Sequence, residues 1–444
     1  MPTGVQARPR LNNHVNGMTM TSSLQSHRHI ASLRRQPDPQ RIAIILLVPL
    51  LPLSSVGAST LSVGAVIGLI LAPIALPAAT KYRGTKLLLS LWATCLAFGP
   101  ILASITAGEL SRSLNQRLEI RILLLIFTTG VTLYVLLWSR SVIGTPTTAA
   151  LYAIGLIAEA VVSQATATAA NPWKYAFAFP VAMLLLAVAR SRLQSVLSLT
   201  ALAGISIIEH SRSFAALSIL AAIAVLVTPW GRDPNRSIHT RTVAVMSASV
   251  IALYFLASTA LLSGWLGESL RKQAVVQTRN GEVTLIVGAR PEWAAGFELF
   301  QARPFGFGPG VVPNTADVSA GLAGLVGLGI DRDHPYVQEY LFDNRLELHS
   351  IIGDLWLLFG IPGLLLSGVI TWRLLGGLVT GAARGTIGAL GILASCVALW
   401  DMAFSPVTNL RYGVLALAIL LPLSPCSRPK ATVPRLADEP EAYR

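Results

Sequence analysis

Apolar residues along this chain come in long uninterrupted runs rather than in alternation. Beginning at Ile42, runs of roughly 16 to 22 residues recur, each closed by a short polar or basic break. Runs of that length predict helices that cross a bilayer. The dyad alternation of a membrane-spanning strand is missing, so a barrel is not expected. The predicted spans are 42–57, 60–79, 87–107, 120–138, 147–169, 175–189, 193–209, 213–229, 242–266, 350–370, 386–404 and 408–424. The expected architecture is an all-α polytopic membrane protein of about twelve transmembrane helices, with 42–266 carrying the first nine and 349–424 the last three. One connection, 267–348, is far longer than the others, and long connections in compact folds are commonly functional. Its middle, Ser319 to Ile330, is Gly-rich and apolar but too short to span, so it is expected in the interface or packed back on the bundle. Gly360-Ile361-Pro362-Gly363 is expected to kink or loosen the tenth span.

Composition agrees with that pattern: 53% of residues are hydrophobic and 12% charged, with a mean hydropathy of +0.61. The net charge of +13 would suggest nucleic acid in a soluble protein. Here the basic residues fall in short breaks between spans, where they set orientation, and no nucleic-acid role is expected. If the N-terminus lies inside, one side receives Lys81, Arg83, Lys86, Arg140, Arg190, Arg192, Arg232, Arg236, Arg241, Arg373, Arg384 and both basic tails. That side holds 21 of the 34 Lys and Arg residues, whereas 267–348, on the other side, holds 10 of the 21 acidic ones. The positive-inside rule then puts both termini in the cytoplasm of a bacterial inner membrane. Residues 1–41 read as a disordered basic tail and 425–444 as a second cytoplasmic tail. The late start of the first apolar run argues against a cleaved signal peptide. Three cysteines, two of them inside predicted spans, make no disulfide framework.

The candidate chemistry gathers on the outward side. Arg212, in Glu209-His210-Ser211-Arg212-Ser213, falls at the outer turn between spans seven and eight; Arg290 and Arg303 lie in the long connection; His349 stands at the outer start of span ten. Arginine forks match phosphate oxygens, and a helix N-terminus adds positive partial charge, so such a cluster suits a diphosphate without a metal or other cofactor. Plainer roles exist for each. Arg212 could be an interfacial anchor, Arg290 and Arg303 surface charges, and His349 with Ser350 a helix cap. Asp331 and Asp333 have a metal-like spacing but read more readily as a solvated acidic turn. Glu159 and Asp354 fall inside predicted spans, where a carboxylate is expensive and usually paired or functional. Trp265 and Trp400 read as interfacial belt residues.

The segment from Ala289 to Phe300, with Arg290 and Trp293, followed by Arg303-Pro304-Phe305-Gly306-Phe307-Gly308-Pro309-Gly310, resembles the periplasmic loop of the O-antigen ligase and polymerase family. His349-Ser350 with Gly360-Ile361-Pro362-Gly363 resembles that family's His-Asn pair and Gly-x-x-Gly, and Ser211-Arg212-Ser213 is similar to its Ser-Arg-Gly. Two positions depart: Ser350 stands where the family usually has Asn, and Arg290 lies three residues before Trp293 rather than four.

The resemblance implies a glycosyltransferase-C-like fold and an inverting, metal-independent glycosyltransferase at the outer face of the membrane. The donor it implies is an undecaprenyl-diphosphate-linked glycan; the acceptor is a second glycan, in polymerisation, or lipid A core, in ligation. On this reading Arg212, Arg290 and His349 are catalytic, Arg303, Trp293, Ser350, Gly306 and Gly308 bind substrate or shape the loop, and membrane lipids surround the bundle. The rival expectation is a transporter or flippase of lipid-linked glycans, against which the sequence offers no inverted repeat and no pair of interrupted helices in corresponding halves.

Overall fold

Each predicted apolar run contains a helix, but the helices are not of one kind. A computed structural model describes residues 38–423 apart from 54–60, 110–111, 164–165, 167–168, 229–235, 266, 279–283, 286–287, 289, 327, 331–336, 338–340 and 343–344. The tails 1–37 and 424–444, and with them most of the expected disordered segment, lie outside the described residues, as do Asp331 and Asp333. The chain divides into Met1–Ile42 and Ala43–Arg444; all contacts below belong to the second unit. Among the described residues there are helices and no strands, only isolated bridges between Tyr82 and Leu423 and between Leu114 and Val311.

In chain order the helices are α1 Pro39–Leu47, α2 Val63–Ile70, α3 Ala72–Ala79, α4 Thr85–Gly108, α5 Gln116–Ile143, α6 Thr145–Val162, α7 Ala178–Val188, α8 Arg192–Ile208 and α9 Arg212–Val227. They continue with α10 Arg236–Leu262, α11 Glu268–Thr278, α12 Glu292–Ala302, α13 Thr315–Val326, α14 Ile351–Ala383, α15 Ala389–Phe404 and α16 Leu410–Leu420. Five are long and apolar enough to cross a membrane: α4, α5, α6, the Val243–Leu262 part of α10, and α14. The remaining predicted spans are shorter. At 1.5 Å per residue a 16-residue helix such as α9 or α15 is about 24 Å long, under the roughly 30 Å hydrocarbon core. The predicted second span is broken into α2 and α3 at Leu71, because Pro73 opens the new helix and supplies no N–H to continue the old one.

Helix limits follow local chemistry. Asn115 caps α5 by accepting from Leu118 N at 3.1 Å, and α5 ends at Gly144, whose φ of 83° a side chain would resist. Ser191 and Gln194 form a reciprocal capping box on α8. Small residues let the helices approach: α9 buries Ala215, Ala221, Ala222 and Ala224. Large apolar side chains such as Ile70, Ile208 and Trp372 point outward, which suits a lipid surrounding.

The long connection is itself helical. The Gly-rich stretch expected near Ser319 forms α13 and packs back on α12, with Gly324 against the Ala294 backbone so closely that a Cβ would collide. Helix polarity is set at one end of the bundle, where Val225 and Thr228 at the end of α9, Ala389 to Ile392 at the start of α15, the end of α14 and the end of α16 line one cavity with Arg83 before α4. The opposite end holds the starts of α9, α14 and α16 and the ends of α4 and α15, and this is where the predicted site residues lie.

Candidate functional site

The start of α14 is built from an ordinary cap and an unusual residue before it. Ser350 is the N-cap: its Oγ accepts from Gly353 N at 3.2 Å and donates to Met402 O, also at 3.2 Å, fixing the start of α14 to the end of α15. His349 precedes it with φ 46°, a left-handed conformation that costs a non-glycine residue about 1–2 kcal/mol. Asp354 holds that turn in place. Its buried carboxylate accepts from Leu348 N at 2.8 Å and from Val407 N at 2.9 Å. The intramembrane carboxylate expected to be paired or functional thus makes its close contacts with backbone amides, as a clamp that presents His349.

Helix α12 lies along the same turn. Gly296 faces Leu348 so tightly that an added Cβ would sit 3.2 Å from a Leu348 methyl. This brings Trp293 Nε1 to the carbonyl of Ala403 at 3.1 Å and Arg290 Cζ to 5.8 Å above the Phe404 ring. Arg290 Nη1 is 3.9 Å from Glu292 Oε1, while Glu292 Oε2 is buried with no partner among the described residues. Arg290, Trp293 and Ser350, drawn from two distant segments, therefore meet around residues 402–404, and His349 immediately precedes Ser350 there.

Arg212 opens α9 at the same end, half-buried. It is placed with the others by helix polarity, and the contacts just described tie only the other four together. Its turn resembles that of His349: His210 has φ 52° and is followed by the buried Ser211 and a helix start. Ser211 N donates to Ser206 O at 2.7 Å, Trp173 Nε1 to Ser206 Oγ at 3.0 Å, and Asn171 Nδ2 to the Glu209 carbonyl.

Arg303 serves a different place. It donates to Glu109 Oε2 at 2.9 Å and Thr106 Oγ1 at 3.3 Å, and its guanidinium lies 5.5 Å from the Phe307 ring centre, fastening the loop to the end of α4. From there the two glycine motifs turn out to be one device. At Gly360 the backbone of α14 leaves the helical region (φ 59°, ψ −136°), and the carbonyl of Leu357 accepts from Phe307 N at 2.8 Å and Gly308 N at 3.1 Å. A Cβ on Gly306 would lie 2.5 Å from Trp356 O, and one on Gly308 would strike the Ala103 backbone. Trp356 Nε1 reaches Pro304 O at 2.9 Å, and Phe307 is fully buried edge-on to Trp356. Gly306 and Gly308 thus act by close backbone approach, and the break in α14 is the socket that receives them.

Several charged residues at this end were not singled out from the sequence. Arg112 grips Asp317 bidentately, Nε to Oδ2 at 2.8 Å and Nη2 to Oδ1 at 2.7 Å, with side-chain exposures of 3% and 6%. The hydrogen bond to Asp317 raises the Arg112 pKa. Together with Asn115 N to Gly310 O at 2.8 Å, this pair sews the loop after Gly310 to the segment joining α4 and α5. Asp401 and Arg411 belong beside Asp354 among charges inside predicted spans. Asp401 Oδ1 accepts from Ser405 Oγ at 2.6 Å, and its Oδ2 is buried without a partner among the described residues. Arg411 Nη2 donates to Tyr412 Oη at 3.1 Å, with Tyr152 and Glu159 of α6 in its electrostatic surroundings. The signal that could have found Asp401 is its position in an apolar run; for Arg112 and Asp317 there was none, since each alone is an ordinary loop charge. Trp265 is exposed, and Trp400 packs against Phe404 with ring centres 4.5 Å apart and planes tilted by 48°.

Chemically, this end offers a guanidinium and an imidazole at the N-terminus of a long helix, beside buried carboxylates that position backbone. Among the described residues no group of three His, Cys, Asp or Glu side chains could hold a metal ion. No family model, curated protein or solved structure matches the chain.

Proposed function

We propose that this protein transfers a glycan from a polyprenyl-diphosphate carrier to an acceptor hydroxyl at the outer face of the bacterial inner membrane, in the manner of the O-antigen ligases and polymerases it resembles. On this reading the shorter apolar helices also lie in the bilayer, giving about twelve passes with both termini cytoplasmic. The supporting observation is the meeting of Arg290, Trp293 and Ser350, which His349 immediately precedes, around residues 402–404, at the bundle end to which helix polarity also assigns Arg212. Arg290 and Arg212 neutralise the diphosphate. His349 orients the acceptor hydroxyl and takes its proton as the acceptor oxygen bonds to the anomeric carbon. The bond from that carbon to the carrier's phosphate oxygen breaks with its electron pair on the departing lipid diphosphate, which the arginines stabilise. Such a displacement inverts the anomeric centre.

The test is turnover by purified protein in detergent, given a defined undecaprenyl-diphosphate glycan with or without an acceptor. A ladder from donor alone identifies polymerisation, and one acceptor-dependent product identifies ligation. Loss of product in Arg212→Ala, Arg290→Ala and His349→Ala, with membrane insertion unchanged, supports the assigned roles; near-normal assembly in all three refutes them. Labelling an Asn314→Cys variant from the periplasmic side checks the sidedness.

The second reading is a transporter for the same lipids, favoured by two interrupted helical segments, α2–α3 at Leu71 and α14 at Gly360. They fall in the second and tenth predicted spans rather than at corresponding places in two halves. Donor movement across liposomes without turnover would favour it.

A further inference from the structure

The end of the bundle remote from His349 holds a cavity of about 880 Å³ whose lining includes Arg83, Arg140, Arg190, Arg192, Arg373 and Arg384 and, among the described residues, no Asp or Glu. None of the six forms an ion pair with a described residue. Arg140 is committed to the protein: its Nη1 donates to Ala418 O and Leu421 O at 2.7 and 2.8 Å, closing the last turn of α16. Of the others, Arg192 and Arg373 are partly buried, and Arg83, Arg190 and Arg384 are exposed. Arg373 lies flat on Gly84, where a Cβ would fall 2.7 Å from its Cζ, so the glycine makes room for the guanidinium. The Nε atoms of Arg192 and Arg373 are buried with no hydrogen-bond partner among the described residues. The turn beside them is fixed by Arg83 N donating to Pro422 O at 2.8 Å. Two helix N-termini without a side-chain cap, α6 after Gly144 and α15 after Gly388, open on the same space.

Clustered guanidinium groups repel one another, and repel more strongly where protein and lipid exclude water, which favours an anion among them. Guanidinium forks and free helix N–H groups both select phosphate oxygens. The surface beside the cavity indicates where the phosphate comes from. Trp372 next to Arg373, Val188 next to Ala189 and Leu193 next to Arg192 are 72%, 69% and 67% exposed, an apolar rim at the level of the cationic groups. That is the profile of a headgroup seat flanked by acyl chains.

We propose that this cavity is a second phosphate site, separate from the His349 end and independent of the transfer reaction, which takes the headgroup of an anionic phospholipid. The full chain is reconstituted in discs of phosphatidylcholine alone or mixed with phosphatidylglycerol, and retained lipid is counted by native mass spectrometry after transfer to detergent. Wild type is expected to retain phosphatidylglycerol selectively, and retention should weaken roughly fivefold for each charge removed in Arg192→Gln and Arg373→Gln, while the corresponding Lys variants keep most of it. Arg384→Gln, on the exposed rim, gives the same reading if the other two variants do not fold. Equal retention by wild type and the Gln variants overturns the proposal. So does thermal stabilisation by inorganic phosphate in phosphatidylcholine discs with none from phosphatidylglycerol, which would make the ligand a soluble anion.

Discussion

The two ends of the bundle handle arginine in opposite ways. At the His349 end Arg112 is locked to Asp317, Arg303 is tied to Glu109 and Arg290 lies near Glu292. At the other end six arginines share a cavity that, among the described residues, no carboxylate lines. Net charge alone hides this difference, because both ends contribute to the same excess of +13. A cation already neutralised by the protein is available for architecture; one left without a counter-ion is available for a ligand. At the His349 end the paired arginines hold the loop in place, and the partly exposed Arg290 lies over the Phe404 ring beside Glu292.

The largest expected effect tests the reactive side of that contrast. His349→Ala should lower glycan transfer roughly a thousandfold by removing the proton acceptor, measured as product from the lipid-linked donor at unchanged protein yield. Next comes the buried pair. Asp317→Asn leaves Arg112 buried without its counter-charge and should cost about 3 kcal/mol in chemical unfolding, whereas Arg192→Gln at the far end, which breaks no pair, should fall within about 0.5 kcal/mol in phosphatidylcholine. Equal losses from the two variants would dissolve the comparison. Gly360→Ala drives a Cβ into the Phe305 carbonyl at a positive φ and is expected to cost about 2 kcal/mol, with faster proteolysis of the 303–311 loop as the readout of a lost socket. The smallest change belongs to Glu109→Gln. Its side chain is 49% exposed, so the pair with Arg303 is screened and the loss should stay below about 1 kcal/mol.

Much of the local structure was legible because it depends on neighbours in sequence. Uninterrupted apolar runs forecast where helices form, and Gly-Ile-Pro-Gly forecast a break in α14. What that break is for was not legible: it accepts Phe307 and Gly308, and such a fit depends on two segments becoming neighbours. Arg303 read as a residue that shapes the loop, but which partner it takes, Glu109 at the end of α4, was not legible. Asp354 read as a carboxylate that must be paired or functional, and its hydrogen-bond partners are two backbone N–H groups that no sequence pattern names. Run length also overstated how many helices reach spanning length, since Pro73 splits one run and α7, α8, α9, α15 and α16 stop short.

By itself the sequence determined that this chain is helical and built of long apolar runs parted by short basic breaks and one long connection, because hydrophobic length and charge act locally. Only the tertiary structure decided that Arg290, Trp293, His349 and Ser350 share one place, and that the far arginines line one cavity with no carboxylate among its described lining residues. Those are distances between remote parts of the polypeptide, set by which helices pack together and by glycines that let backbone meet backbone.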